Sequence, residues 1–254
     1  MSYTFPNANS RLIGDHGASG TFAYPYFVAQ FVKAATWPAD NRYLTTLQFK
    51  NADPSSLYPA LNNTIRLQLG RFMTMTFGSD PEASPNAAFT PSIYMSDAES
   101  RPGQWIAVVT VWESPTSRTM YLGQHGAGIE HSGSSTTEIV IDSTDYMRYL
   151  VVGGFLPSTF TADNIQLAEI VVGRHVPTTT EVTDYINGTA ASAAFSTANL
   201  QYYPLNVDAT SHDDVMGNGP TISAAGAVSY NADHPTITSP ASGGTPPFVS
   251  VTVS

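Results

Sequence analysis

The sequence predicts an all-β protein, a two-sheet antiparallel sandwich with one short helix near residues 178–187. Three observations predict it. Short apolar runs alternate with clusters of Gly, Pro, Asn, Asp and Ser, the rhythm of strands and turns in a sandwich. Hydrophobic residues make up 42% of the 254-residue chain and charged residues only 12%, so a sizeable core is available without a helix-rich, charge-rich surface. Between Asn164 and Gly188 the period then changes once, from that of a strand to that of a helix.

Taken in order, the first 19 residues read as an extended segment. Tyr3, Phe5, Leu12 and Ile13 are too few and too irregular to predict a core element. Strands follow over 25–33 (PYFVAQFVK), 43–49, 65–70, 73–77, 105–112 (WIAVVTVW), 119–122, 137–142, 149–152 and 165–172, each bounded by turn residues. Runs at 202–205, 221–223 and 249–253 add further candidates. In 165–172, Ile165, Leu167, Glu169 and Val171 face one way and Gln166, Ala168, Ile170 and Val172 the other, apolar enough on both faces to lie inside a sheet. The helix is marked by Thr178 and Glu181 at capping-box spacing, by apolar Val182, Tyr185 and Ile186, and by Asn187-Gly188 as its stop. Residues 20–238 are thus expected to form one sandwich domain. The Pro- and Gly-rich stretch at 239–247 leads to a C-terminal arm, 239–254.

Charge and composition exclude several partners. With 10 Lys+Arg against 20 Asp+Glu and a net charge of −10, there is no basic stripe to neutralise phosphates, so nucleic acid is not expected. The absence of cysteine rules out disulfides and thiolate metal sites. MSYTFPNANSRLIGDHGASG has neither the basic nor the apolar region of a secretory signal. No run approaches the roughly 20 apolar residues of a membrane span, so synthesis in a cytoplasm and no membrane partner are expected.

Four stretches resemble the concanavalin A-like, laminin G-type jelly-roll superfamily. PYFVAQFVKAATW is similar to its first core strand, and RPGQWIAVVTVWESPTSRTMYLGQ to its Gly-x-Trp strand and following hairpin. NIQLAEIVVGRHVPTTTEVTDYINGT resembles its late strand and short helix. LQYYPLNVDATSHDDVMGNGPTIS resembles its Tyr-aromatic-Pro-Leu strand and the Asp/Gly-rich loop after it. In order, the motifs span residues 20–237. Gly173-Arg174-His175 departs from the family, which often has an apolar or aromatic residue there. The resemblance implies a jelly roll, a fold shared by lectins, glycan-binding modules, adhesion domains, polysaccharide hydrolases and lyases, and virion proteins. A fold does not name a chemistry.

Catalysis is the weaker expectation. The hydrolases of the superfamily carry Glu-x-Asp-x-Glu on one strand, and this sequence has no such motif. Glu138 and Asp142 share a strand face but lie about 13 Å apart, beyond the roughly 5 to 9.5 Å that flanks a glycosidic bond. Asp97 and Glu99 are better spaced, yet MSDAESRPGQ reads as a loop of solvated acids. His125, Glu130 and His131 are close in a Gly/Ser-rich segment that reads as a hairpin tip rather than a metal or acid–base site. Asp208, Asp213, Asp214 and Asn218, with His212 among them in sequence, offer oxygen ligands for Ca²⁺, with Asp208, Asp213 and Asp214 the candidate ligands. Their spacing matches no ordered calcium loop and favours an Asx-rich turn, so no resident cofactor is expected.

Among the aromatics, Trp105 and Trp112 fall on opposite faces of one strand, with Trp105 a core residue. Trp37 stands in a turn-like Thr-Trp-Pro-Ala-Asp-Asn, so Trp37, Asp40 and Asn41 are the candidate ligand-binding residues, an aromatic platform beside polar groups that would suit a sugar. The leading expectation is a non-catalytic structural or interaction protein of a virus particle, such as a bacteriophage head-decoration, spike or fibre component. Its partners would be other virion proteins or its own copies and host-surface glycans. A free carbohydrate-binding lectin-like module is the alternative, and a polysaccharide hydrolase or lyase a distant third.

Overall fold

A computed structural model describes residues 2–5, 10–17, 24–36, 42–49, 61–68, 71–76, 89–94, 101–136, 147–154 and 165–238. The strands, in chain order, are β1 (Ser2–Thr4), β2 (Arg11–Asp15), β3 (Tyr26–Ala34), β4 (Arg42–Phe49), β5 (Leu61–Gln68), β6 (Arg71–Thr76), β7 (Phe89–Tyr94) and β8 (Ile106–Ser114). They continue with β9 (Ser117–Gln124), β10 (His131–Ser135), β11 (Met147–Val152), β12 (Ile165–Gly173), β13 (Gln201–Tyr203), β14 (Ser211–His212), β15 (Ile222–Ala225) and β16 (Ser229–Asn231). Two helices, α1 (Thr179–Ile186) and α2 (Ala191–Ala194), lie between β12 and β13.

These strands form a two-sheet antiparallel sandwich of jelly-roll type. One sheet runs β10-β9-β8-β3-β12-β1-β16, and the other β14-β15-β2-β11-β4-β5-β6-β7. The chain passes repeatedly from one sheet to the other, as at β1 to β2, β2 to β3 and β11 to β12. One edge of β12 pairs with β3 along its length. Its other edge pairs first with β1 (Tyr3 opposite Leu167) and then with β13 (Ile170 opposite Tyr203). The irregularity between those partners falls at Glu169, whose φ is +56°.

The two faces of the first sheet explain its sequence. Alternate residues Tyr26, Val28 and Val32 of β3 join Val108, Trp112, Leu167 and Ile170 against the second sheet's Leu12, Leu44, Leu47 and Leu150. Their neighbours Phe27, Ala29 and Phe31 point outward, with Ala107, Val109 and Val171, and are covered by Val182, Tyr185 and Ile186 of α1 and by Phe195. A sheet buried on both faces needs strands that are apolar throughout, which β3, β8 and β12 are. The expected opposition of the tryptophans holds: Trp112 is inside the sandwich and Trp105 in the outer layer under the helix.

The helix starts as its sequence requires. Thr178 Oγ1 accepts from the Glu181 N–H at 3.2 Å, and the Glu181 carboxylate accepts from the Thr178 N–H at 2.7 Å. It is followed by the four-residue α2, which the sequence reading did not include.

Residues 1–19, with too little periodic apolar content to form a core element alone, join the two sheets by pairing: β1 with β12 and β16, and β2 with β11 and β15. Tyr3, Phe5 and Leu12 are fully buried. Strands of three and five residues are too short to show a period of their own. Neighbouring strands complete their hydrogen bonds. The candidate strands at 137–142 and 249–253, and the arm 239–254, lie outside the described residues. No helix among the described residues is long and apolar enough to cross a membrane.

Candidate functional site

At one rim of the sandwich the end of β2, the start of β11, the end of β12, the start of β13 and the loop between β14 and β15 enclose a cavity of about 550 Å³. Its wall is mostly polar. Asp15 comes from the end of β2 and His16 follows it, Met147 comes from β11, Arg174 from the turn after β12, Asn199 and Gln201 from the entry to β13, and Asn218, Gly219 and Pro220 from the loop.

Asp214 holds that loop in place. Its Oδ1 accepts from the N–H groups of Tyr202 at 2.7 Å and Met216 at 3.0 Å, and its Oδ2 from those of Asn218 and Gly219, both at 2.7 Å. One buried carboxylate thereby ties β13 to residues 216–219 and sets the position of two wall residues. Asn218 Nδ2 then donates to the Leu200 carbonyl at 2.8 Å, and Tyr203 Oη to the Pro220 carbonyl at 2.7 Å. Gly219 is required by the closeness of this packing. A Cβ there would stand 2.4 Å from Tyr203 Oη and 2.8 Å from Gln201 Oε1.

The charges around the cavity are largely compensated. Asp15 Oδ1 and Oδ2 meet Arg148 Nε and Nη2, each at 2.9 Å, and Oδ1 also accepts from the Gly17 N–H at 2.7 Å. The His16 N–H donates to the Arg148 carbonyl at 2.8 Å, extending the ladder one residue past β2. Burial, reinforced by the Arg174 charge and only partly opposed by Asp15 and Asp214, pushes the His16 imidazole down to a pKa of about 4. It is therefore neutral at pH 7. Arg174 is exposed on the cavity side and has no hydrogen bond or ion pair among the described residues. Gln201 is 6% exposed, and its Oε1 is buried without a donor.

Such a wall can hold a polar ligand by hydrogen bonds. Among the described residues, the wall carboxylate Asp15 is engaged by Arg148, and Asp214 behind the wall by four N–H groups.

The residues singled out from the sequence distribute differently. Trp37, Asp40 and Asn41 lie outside the described residues, as do Asp97, Glu99, Glu138 and Asp142. His125, Glu130 and His131 do not converge. His125 Nε2 is 2.7 Å from the Thr236 carbonyl and its ring meets Phe31 edge-on, while Glu130 accepts from the Gln124 N–H at 2.6 Å and from Arg101 at 2.9 Å. The Glu130–Gln124 bond spans the hairpin between β9 and β10, and the other contacts tie it to β3, to Arg101 and to the segment after β16. Of the calcium candidates, Asp214 is occupied as described, Asp213 accepts from Thr221 Oγ1 at 2.6 Å, and Asp208 stands near Tyr3 and Tyr230. No three His, Asp or Glu side chains among the described residues are placed to hold a metal ion. Of the wall residues, the sequence reading named only Asn218 as a candidate ligand and noted Arg174 only as a departure from the family pattern.

A second polar group, buried in the first sheet, was also missed. Glu169, 1% exposed, accepts from Tyr202 Oη and faces His234 Nε2 at 3.0 Å, while its carbonyl accepts from Tyr185 Oη at 2.6 Å. It joins β12, β13, α1 and the segment after β16. Burial, and then the Glu169 charge, raise the Tyr185 and Tyr202 phenols well above their usual pKa.

No protein-family model matches the sequence, and no curated protein does. Solved structures resemble it in part. Domains LG4-5 of the mouse laminin α1 chain share 16% identity over 68% of this chain and 42% of theirs, with a TM-score of 0.44. The receptor-binding domain of botulinum neurotoxin D shares 11% over 71% and 44%, with a TM-score of 0.45. A Trypanosoma rangeli sialidase shares 10% over 64% and 23%, with a TM-score of 0.41. The chain thus spans less than half the length of each.

Proposed function

We propose that this protein is a non-catalytic, lectin-type binding domain that holds a saccharide in the rim cavity. The Gln201 amide carries the reading: the residue lines the cavity and its buried Oε1 has no donor. A buried acceptor without a donor costs about 1–3 kcal/mol, which a ligand hydroxyl would recover once the amide turns toward the cavity. The cavity volume falls within the roughly 300–1,000 Å³ of small-molecule sites. Its amide-rich wall suits a polyhydroxylated ligand better than a lipid. The engagement of Asp15 and Asp214 supports binding over hydrolysis, since neither is free to act as acid or nucleophile.

The setting we attach to this reading is the exterior of a virus particle, among other particle proteins or copies of the chain, with host-surface glycans as ligands. It follows from the jelly-roll resemblance and the neutral polar character of the sequence, and antibody labelling of purified particles checks it. The binding reading is tested by screening the protein on a glycan array. A saccharide that binds the wild type should lose about tenfold or more in affinity with Gln201→Leu. Undiminished binding by a folded Gln201→Leu variant would overturn it.

A further inference from the structure

We propose that the rim cavity selects saccharides bearing an oxyanion, a carboxylate or a sulfate ester, which Arg174 grips while neighbouring hydroxyls bond the Gln201 and Asn199 amides. The proposal rests on the reading of the cavity as a saccharide site and adds the ligand's charge.

The charge balance around the cavity points to an anion. Asp15 is neutralised by Arg148 through two contacts of 2.9 Å, and the Asp214 carboxylate is surrounded by four backbone N–H groups. The acid of the adjoining helix, Glu181, is also occupied. It accepts from the N–H groups of Thr178 at 2.7 Å and Ser196 at 2.9 Å and faces His175 Nε2 at 3.2 Å. Arg174 remains without a counter-ion among the described residues, in a chain whose net charge is −10. A planar guanidinium matches carboxylate and sulfate oxygens two at a time.

The backbone that carries Arg174 is held on both sides. A Cβ at Gly173 would lie 2.0 Å from the Phe27 ring, so the end of β12 is pressed directly on that residue. On the other side the His175 ring meets Phe27 edge-on at 5.1 Å. With the backbone fixed before the ligand arrives, only the Arg174 side chain is left to be ordered on binding. The neutral His16 adds a sensor to the same wall, facing Arg174, Asp15 and Asp214. An anion seated on Arg174 favours imidazolium, so its binding should raise the His16 pKa, whereas a neutral sugar should leave it where it is.

The test uses the full chain and four probes: oligogalacturonate, its methyl ester, a galactose sulfate ester and a neutral galacto-oligosaccharide. Titration calorimetry gives affinities, while NMR follows the Gln201 amide and the His16 imidazole. At least one acidic probe should bind about tenfold or more tightly than the ester and the neutral sugar, and raise the His16 pKa. The carboxylate and sulfate arms identify the oxyanion. Arg174→Gln should reduce acidic binding to the neutral level, with Arg174→Lys between. Equal binding of acidic and neutral probes, insensitive to Arg174→Gln, overturns this proposal and leaves the saccharide site standing. If no probe moves the Gln201 amide, the saccharide reading falls, and this inference with it.

Discussion

Replacing Asp214 by alanine should loosen the rim site and destabilise the fold together. Four N–H groups lose their acceptor. That of Tyr202 is buried within the sheet and would be left unsatisfied, at about 1–3 kcal/mol. The other three are partly buried and can reach water, at about 0.5–1 kcal/mol each. The sum is roughly 2.5–6 kcal/mol, about 4 at its centre. For a domain of this size, 4 kcal/mol corresponds to a fall in Tm of about 8–16 °C. Asp214→Asn keeps one oxygen, able to serve one of the two donor pairs, and should show about half the loss. Urea denaturation monitored by tryptophan fluorescence measures the stability of both variants. NMR of the Asn218 and Gly219 amides, recorded well below the transition, reports the loop. If Asp214→Ala unfolds within about 0.5 kcal/mol of wild type with those amides unmoved, the four-bond account of the rim is wrong.

Trp105, 8% exposed in the layer beneath α1, donates from Nε1 to Asp233 at 3.4 Å and lies under the Lys33 ammonium at 5.7 Å. Trp105→Ala should cost about 3–5 kcal/mol in a denaturant titration; a near-neutral result would remove it from the core. His16 gives a pH dependence whose sign is set by its depressed pKa. The unfolded imidazole takes a proton near pH 6.5, whereas the folded one resists until about 4. In that window the unfolded state binds more protons, so stability falls as pH drops from 6.5 to 4 and the effect levels off below. The full shift corresponds to about 3 kcal/mol, and partial solvation brings the expected loss to roughly 1–2 kcal/mol. Subtracting the stability–pH curve of His16→Asn from that of wild type isolates it. A flat difference between pH 7 and 4 would refute the assignment.

The sequence by itself determined what is local. The two-residue period of β12, apolar on both faces, already described a strand buried inside a sheet. Thr178 and Glu181 marked the start of α1, and the odd separation of Trp105 from Trp112 placed them on opposite faces. Each follows from backbone geometry repeating along a few residues. Only the tertiary structure decided the rest. β1 and β2 are strands because β12, β16, β11 and β15 complete their hydrogen bonds, and nothing within three or five residues could announce that. The rim cavity draws on positions 15, 147, 174, 201 and 218, joined by strand pairing across the sandwich rather than by spacing along the chain. Its traces in the sequence were Asn218, read as an oxygen ligand for a cation, and Arg174, noticed as a departure from a family pattern. Conversely His125, Glu130 and His131, adjacent in sequence, are drawn to separate partners because a hairpin directs neighbouring side chains apart. Periodicity is a property of the neighbouring backbone, but a binding site depends on which distant segments the sheets bring to one rim.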